Sequence, residues 1–121
     1  MSSIKKILIA DDDNFMLLSL KTVLEKENYV VISSSDGNEA IAAFKEHQPD
    51  CVLLDGLMPN LDGFSACNEI RATAQGKGIP ILIVSGLTKE EIREQYPDTK
   101  ATGYLPKPID WLKLLKKVSK L

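Results

Sequence analysis

Acidic, hydroxyl and cationic side chains stand just past the ends of short apolar runs in this sequence, and their types suit phosphoryl chemistry. Asp11-Asp12-Asp13 follows Ile7-Leu8-Ile9-Ala10, Asp55 follows Cys51-Val52-Leu53-Leu54, Ser85 follows Ile81-Leu82-Ile83-Val84, and Lys107 closes Gly103-Tyr104-Leu105-Pro106. Carboxylates gathered at one edge repel one another and shift toward protonation unless a cation neutralises them. Oxygen ligands with open positions suit Mg²⁺, or Mn²⁺ in its place, because such an ion keeps waters and bridges to phosphate oxygens. Asp55 interrupts the apolar flow of its run and opens a turn-rich loop, Gly56 to Gly63. A carboxylate in that position can act as a nucleophile toward phosphorus and form an aspartyl-phosphate. Such a transfer asks the protein for alignment and for neutralisation of the phosphoryl charge, which a metal and Lys107 would supply. Ser85 offers a hydroxyl donor to one phosphoryl oxygen. Singly, each residue also has a plainer reading: Asp11 to Asp13 as caps at the positive end of a helix, and Ser85 as a strand-end residue favouring the turn into Gly86.

The apolar runs must position these groups. Ile7–Ala10, Tyr29–Ile32, Cys51–Leu54, Ile81–Val84 and a weaker Gly103–Leu105 each read as a strand. Near-continuous apolarity, in place of in/out alternation, marks strands covered on both faces and so a mostly parallel sheet. The segments between them carry helical stripes: Met16, Leu17, Leu20, Val23 and Leu24; Ala40, Ile41 and Phe44; Cys67, Ile70 and Ala74; Trp111, Leu114, Leu115 and Val118. All four stripes are expected in the core. Asp36-Gly37-Asn38 and Asp110 supply capping side chains before the second and last helices. Lys89 to Tyr96 has room for about two turns at 3.6 residues per turn, and Pro97 should stop it, because it lacks a backbone donor and biases Tyr96 away from helical dihedrals. The fold class is therefore α/β, a (βα)₅ chain with a short, polar fourth helix. In an open parallel sheet ligands bind at the carboxyl ends of the strands, where the acids, the hydroxyl and the lysine converge.

With 121 residues the chain has room for one core, so a single domain over residues 1–121 is expected. A hydrophobic share of 44% with 26% charged residues fits an ordinary globular protein. The formal charge of -2 leaves no general basic field, which argues against direct nucleic-acid binding. No apolar run reaches the roughly 20 residues that cross a bilayer, and the first ten residues lack a signal peptide's apolar stretch; a cytoplasmic protein without a membrane partner is the expectation. Cys51 and Cys67 are not in a C-x-x-C arrangement and read as free thiols. The lone His47, in a polar stretch, reads as a solvent-facing helix end.

Taken together, the motifs resemble the response-regulator receiver family over essentially the whole chain. Ile-Leu-Ile-Ala-Asp11-Asp12-Asp13 is similar to its acidic pair after strand one, and Asp55-x-x-Met58-Pro59-x-x-Asp62-Gly63 to its phospho-acceptor loop. Ile81 to Gly86 resembles its fourth strand with the small hydroxyl residue. Gly103-Tyr104-Leu105-Pro106-Lys107-Pro108 resembles its fifth strand with the aromatic switch residue, the Lys and the following Pro. The resemblance implies a flavodoxin-like three-layer sandwich with strand order 2-1-3-4-5. It implies that Asp11, Asp12, Asp55 and the backbone carbonyl of Leu57 hold the metal, that Asp55 accepts the phosphoryl group, and that Ser85 and Lys107 bind its oxygens. Tyr104 would rotate inward as Ser85 is drawn to the phosphate, and the Lys107-Pro108 bond would be cis. The protein would then be a switch of a two-component phosphorelay, not a turnover enzyme. A sensor histidine kinase or phosphotransfer protein would be the donor, an effector domain or downstream protein the reader, and the output surface would lie around helix 4, strand 5 and helix 5. Leu57 and Leu87 occupy variable positions where the family often has polar groups, Ser85 stands where Thr is commoner, and Pro97 makes the fourth helix atypical. The same residues also admit a haloacid-dehalogenase-like phosphatase using Asp11 and Asp13, a flavin or dinucleotide module, and a non-phosphorylated pseudo-receiver. The first leaves Asp55 and Lys107 without roles, the second would bring an anionic cofactor against three aspartates, and the third leaves the full acidic set unused.

Overall fold

The computed structural model describes residues 4–121; the single-domain expectation also takes in residues 1–3, which lie outside the described residues. Five strands alternate with five helices: β1 (Lys6–Ala10), α1 (Asn14–Lys26), β2 (Val30–Ser34), α2 (Gly37–His47), β3 (Cys51–Asp55), α3 (Gly63–Arg71), β4 (Ile81–Ser85), α4 (Lys89–Gln95), β5 (Gly103–Pro106) and α5 (Trp111–Ser119). The strands form one parallel sheet in the order β2-β1-β3-β4-β5, as the resemblance implied.

Each face of the sheet has its own core. Alternate residues point to opposite faces of a strand, so Leu8, Val52, Leu54, Ile81 and Ile83 pack with Phe44, Phe64 and Ile70 on one side. Ile7, Ile9, Leu53 and Leu82 pack with Leu20, Leu24, Leu114 and Val118 on the other. This double coverage is why β1, β3 and β4 read as unbroken apolar runs. The outer strand β2 does not share it: Val30 is 57% exposed, because an edge strand has a neighbour on one side only, and the strand runs two residues past the apolar stretch, to Ser34. Ser34 is buried and donates its hydroxyl to the Ile9 carbonyl at 2.9 Å.

The caps fall where short acidic side chains were expected. Asp36 accepts from Glu39 N–H and Asp110 from Lys113 N–H. The Thr88/Glu91 capping box starts α4, which ends at Gln95, two residues before Pro97. One stripe is corrected. Ala74 is exposed and outside any helix, because α3 stops at Arg71 and Thr73 Oγ1 donates to the Ile70 carbonyl. Gly76 then comes so close to that carbonyl that a Cβ there would sit 1.9 Å from it. Cys51 and Cys67 are free and buried, and burial pushes their thiols up to about 12 and about 11, far from reactive thiolates. His47 ends α2 on the solvent side. Among the described residues, no helix is long and apolar enough to cross a membrane.

Candidate functional site

The carboxyl ends of β1, β3 and β4 meet at one edge, and backbone hydrogen bonds fix their spacing. Asp11 N–H donates to the Ser34 carbonyl at 3.2 Å, Gly56 N–H to Val84 at 2.9 Å, and Lys107 N–H to Ser85 at 3.0 Å. Asp11, Asp12 and Asp55 thereby bring carboxylate oxygens that all lie within 4.8 Å of one another. Asp11 and Asp55 are buried, 4% and 6% exposed, whereas Asp12 faces solvent. The Lys107 ammonium sits 2.9 Å from Asp55 Oδ1. The Lys107-Pro108 peptide is cis.

Electrostatics follow from that crowding. Burial, and then the charges of Asp55 and Asp12, push Asp11 up to about 6 against the pull of the Asp13 N–H and Lys107. Burial alone would lower Lys107, but its hydrogen bond to Asp55 and the surrounding carboxylates outweigh this and raise it. The edge is thus a charged pocket with three hard oxygen donors beside one ammonium, the donor set that suits Mg²⁺ or Mn²⁺ in preference to a softer metal.

Asp13 belongs elsewhere. Its carboxylate caps α1, accepting from Phe15 and Met16 N–H, while its own N–H donates to Asp11 Oδ1 at 2.9 Å. It therefore holds Asp11 in place without joining the oxygen cluster. Ser85 is buried at the end of β4, and its Oγ accepts from Leu87 N–H at 3.0 Å. With an acceptor lone pair occupied, the hydroxyl proton is the part of Ser85 left to donate. Tyr104 is half-buried and, with Ser85, Leu87 and Ile92, lines a cavity of about 160 Å³ between β4, α4 and β5. Leu57, the residue whose carbonyl was expected among the ligands, leaves its side chain 60% exposed beside the site.

The loop after Asp55 is anchored at points that the sequence reading passed over. Asn60 adopts a left-handed φ of 68° and donates its amide to Asp36 Oδ2 at 2.8 Å. Gly37 N–H donates to the Leu61 carbonyl at 3.0 Å, so close that a Cβ on Gly37 would lie 2.3 Å from that oxygen. The Pro59-Asn60 pair was the available signal, since Asn tolerates the left-handed turn conformation. Gly63 is required for a similar reason: a Cβ there would sit 2.1 Å from the Asp55 carbonyl. The start of α3 is therefore pressed directly against the acceptor strand.

The fold and this edge define a class. Residues 7–119 match the family described as the response regulator receiver domain, and the chain belongs to that family, the phospho-accepting signalling switches of two-component systems. It is 33% identical to the protein PilH of Pseudomonas aeruginosa over 94% of both chains. It is 36% identical to the response regulator MprA of Mycolicibacterium vanbaalenii over 96% of this chain but only 49% of that protein, so it spans about half the length of MprA. In structure it is similar to the receiver domain of the sensor histidine kinase PA1611 of P. aeruginosa, which carries a magnesium ion coordinated in its active-site cleft. The TM-score is 0.89 at 27% identity, covering 98% of this chain and 97% of the other.

Proposed function

We propose that Asp55 is the phospho-acceptor of this receiver domain, and that Asp11, Asp12, Asp55 and the Leu57 carbonyl hold a Mg²⁺ ion, with Mn²⁺ able to replace it. The observation that carries this reading is the clustering of three carboxylates within 4.8 Å beside a lysine 2.9 Å from one of them. A bound divalent cation would neutralise the phosphoryl oxygens and the carboxylates together.

An Asp55 carboxylate oxygen attacks the phosphorus of a phosphohistidine or a small acyl phosphate. The P–N or P–O bond to the donor breaks, and the leaving group departs with its electron pair. Lys107, released from its ion pair as the Asp55 carboxylate becomes an acyl phosphate, moves its ammonium onto a phosphoryl oxygen. The Ser85 hydroxyl donates to another. Drawing Ser85 toward the phosphate opens the cavity it shares with Tyr104, whose ring then turns inward and changes the surface of α4, β5 and α5. The protein is consumed as an acceptor and regenerated by slow hydrolysis, so it acts as a switch and not as a turnover enzyme. Its donor is a sensor histidine kinase or phosphotransfer protein in the cytoplasm, and its reader an effector domain or downstream protein. The domain is the whole of residues 1–121.

Incubation with acetyl phosphate or phosphoramidate and Mg²⁺ should add one phosphoryl mass, and chelation should prevent it. A mass unchanged by both donors would overturn the reading.

A further inference from the structure

The short connection between β2 and α2, from Ser34 to Gly37, contributes no atom to the carboxylate cluster, yet it is bonded to both sides of it. On one side the Ser34 carbonyl accepts from Asp11 N–H at 3.2 Å. On the other, Asp36 Oδ2 accepts from the Asn60 amide at 2.8 Å, and Gly37 N–H donates to the Leu61 carbonyl at 3.0 Å. The connection is itself held firmly. Asp36 Oδ1 caps α2 by accepting from Glu39 N–H at 2.8 Å, and Glu39 Oε1 reaches back to Ser35 N–H at 2.9 Å. Ala40 and Phe44, both buried, then anchor the helix in the core.

The loop that this connection grips needs the hold. Its two ends are fixed, since Gly56 N–H donates to the Val84 carbonyl and Gly63 N–H to the Gly56 carbonyl, each at 2.9 Å. Between them Leu61 N–H donates to the Pro59 carbonyl at 2.7 Å, closing a tight turn around Asn60 at a φ of 68°. With a positive φ at its centre such a turn is the rare, strained kind, and it persists where the surroundings over-determine it. The Asp36 carboxylate supplies that support through a charge-assisted bond. Among the described residues nothing donates to the Leu57 carbonyl, so its direction follows from the path of this loop.

We propose that Asn60 and Asp36 are positioning residues for the divalent cation: their hydrogen bond, carried on the β2–α2 connection, sets the spacing between Asp11 and the Leu57 carbonyl that the ion requires. The proposal rests on the reading of Asp11, Asp12, Asp55 and Leu57 as metal ligands. Neither Asn60 nor Asp36 touches the ion or the phosphoryl group; both act through the loop. Mg²⁺ demands near-ideal octahedral geometry, so a ligand carbonyl that drifts with its loop costs affinity.

The test measures Mg²⁺ affinity of the full, unphosphorylated chain by amide NMR titration, alongside urea unfolding in chelator, for wild type and three variants. Asn60→Gly keeps the left-handed turn without strain and deletes the amide. Asn60→Asp sets a like charge against Asp36. Asp36→Asn combined with Asn60→Asp exchanges donor and acceptor and restores the bond, because Asn serves as well as Asp in the cap of α2. Both single variants should bind Mg²⁺ about tenfold more weakly, the lower end of what loss of an outer support does to a metal site. The exchanged pair should bind close to wild type. The Mg²⁺ concentration that gives half-maximal labelling by acetyl phosphate should rise in the single variants by the same factor as the dissociation constant. A bond with only a structural role would lower stability in chelator and leave the Mg²⁺ affinity of the folded protein unchanged. That result, or an exchanged pair no better than Asn60→Asp alone, would overturn the proposal. A wild type that binds no Mg²⁺ would sink the metal reading as well, whereas wild-type affinity kept by Asn60→Gly would sink the positioning role alone.

Discussion

The acidic edge and the chain that hooks around Pro97, from Tyr96 to Thr102, are held by different means. At the edge, buried strands on both sides fix Asp11, Asp55 and Ser85, each under 7% exposed, and the backbone bonds that space them join neighbouring strands. The hook rests on side chains reaching across from α3. Phe64 stacks on Tyr96, Asn68 exchanges hydrogen bonds with the Asp98 carbonyl and Lys100 N–H, and Arg71 donates to the Lys100 carbonyl and Thr102 Oγ1. A site that must align a nucleophile benefits from the first kind of support. A surface that must exist in two arrangements needs the second, since exposed segments with few buried contacts open at low cost.

Substitutions at the two rings should give the largest effects and separate the regions. Phe64 is buried at 2% exposure, and Phe64→Ala should cost about 3–5 kcal/mol of folding stability. Tyr96 is half-buried at the helix end, so Tyr96→Ala should cost well under half as much while shifting amide resonances from Pro97 to Thr102. Urea unfolding of both variants checks this, and equal losses would mean the hook is as much a part of the core as α3.

Next in size is the charge stored at the edge. The pKa of Asp11 in the fold, about 6, lies above its ordinary 3.8, so the native state binds the proton more tightly than the unfolded chain. Its stabilising contribution is complete below about pH 3.8 and is lost as pH rises through about 6. In metal-free protein Asp11→Asn should therefore raise stability at pH 7, by on the order of 2 kcal/mol, and flatten the pH dependence between 4 and 6. Thermal melts in chelator across that range would show it, and a variant less stable than wild type at pH 7 would sink it.

A smaller effect concerns signal lifetime. Leu57 and Leu87 flank the edge and offer no hydrogen bond to a water attacking the aspartyl-phosphate, so self-dephosphorylation should be slow. Leu57→Asn with Leu87→Glu should speed decay about tenfold if positioning that water contributes about 1.4 kcal/mol of barrier. Loss of label from purified phosphoprotein measures it. Smallest is the metal's effect on the fold: at three times its dissociation constant Mg²⁺ should stabilise the native state by about 0.8 kcal/mol through mass action. Asp12→Ala should remove that dependence of the melting temperature, and a wild type indifferent to millimolar Mg²⁺ would count against the cluster as a cation site.

The same contrast governs what was legible in the sequence. Strands β1, β3 and β4 announced themselves because burial on both faces requires unbroken apolar runs, and Asp11, Asp55 and Ser85 stood out as polar breaks at the ends of those runs. The capping roles of Asp36 and Asp110 and the halt before Pro97 were legible from local backbone chemistry alone. Strand order came from the family resemblance, since periodicity does not say which strands are neighbours. Nothing local marked Phe64 and Tyr96 as a stacked pair, or Arg71 as the brace of a loop 29 residues away, because those contacts exist only once α3 and the segment from Tyr96 to Thr102 are side by side. Ala74 fitted the helical spacing of α3, but helical spacing could not show that the chain turns at Thr73 and Gly76.

The central claim is that Asp55 carries the phosphoryl group, and the most direct measurement is intact-mass analysis with peptide mapping after acetyl phosphate and Mg²⁺. Wild type should gain one phosphoryl mass that maps to the peptide containing Asp55, and Asp55→Asn should gain none. An Asp55→Asn variant labelled to the wild-type extent, with the label mapped to another residue, would contradict it.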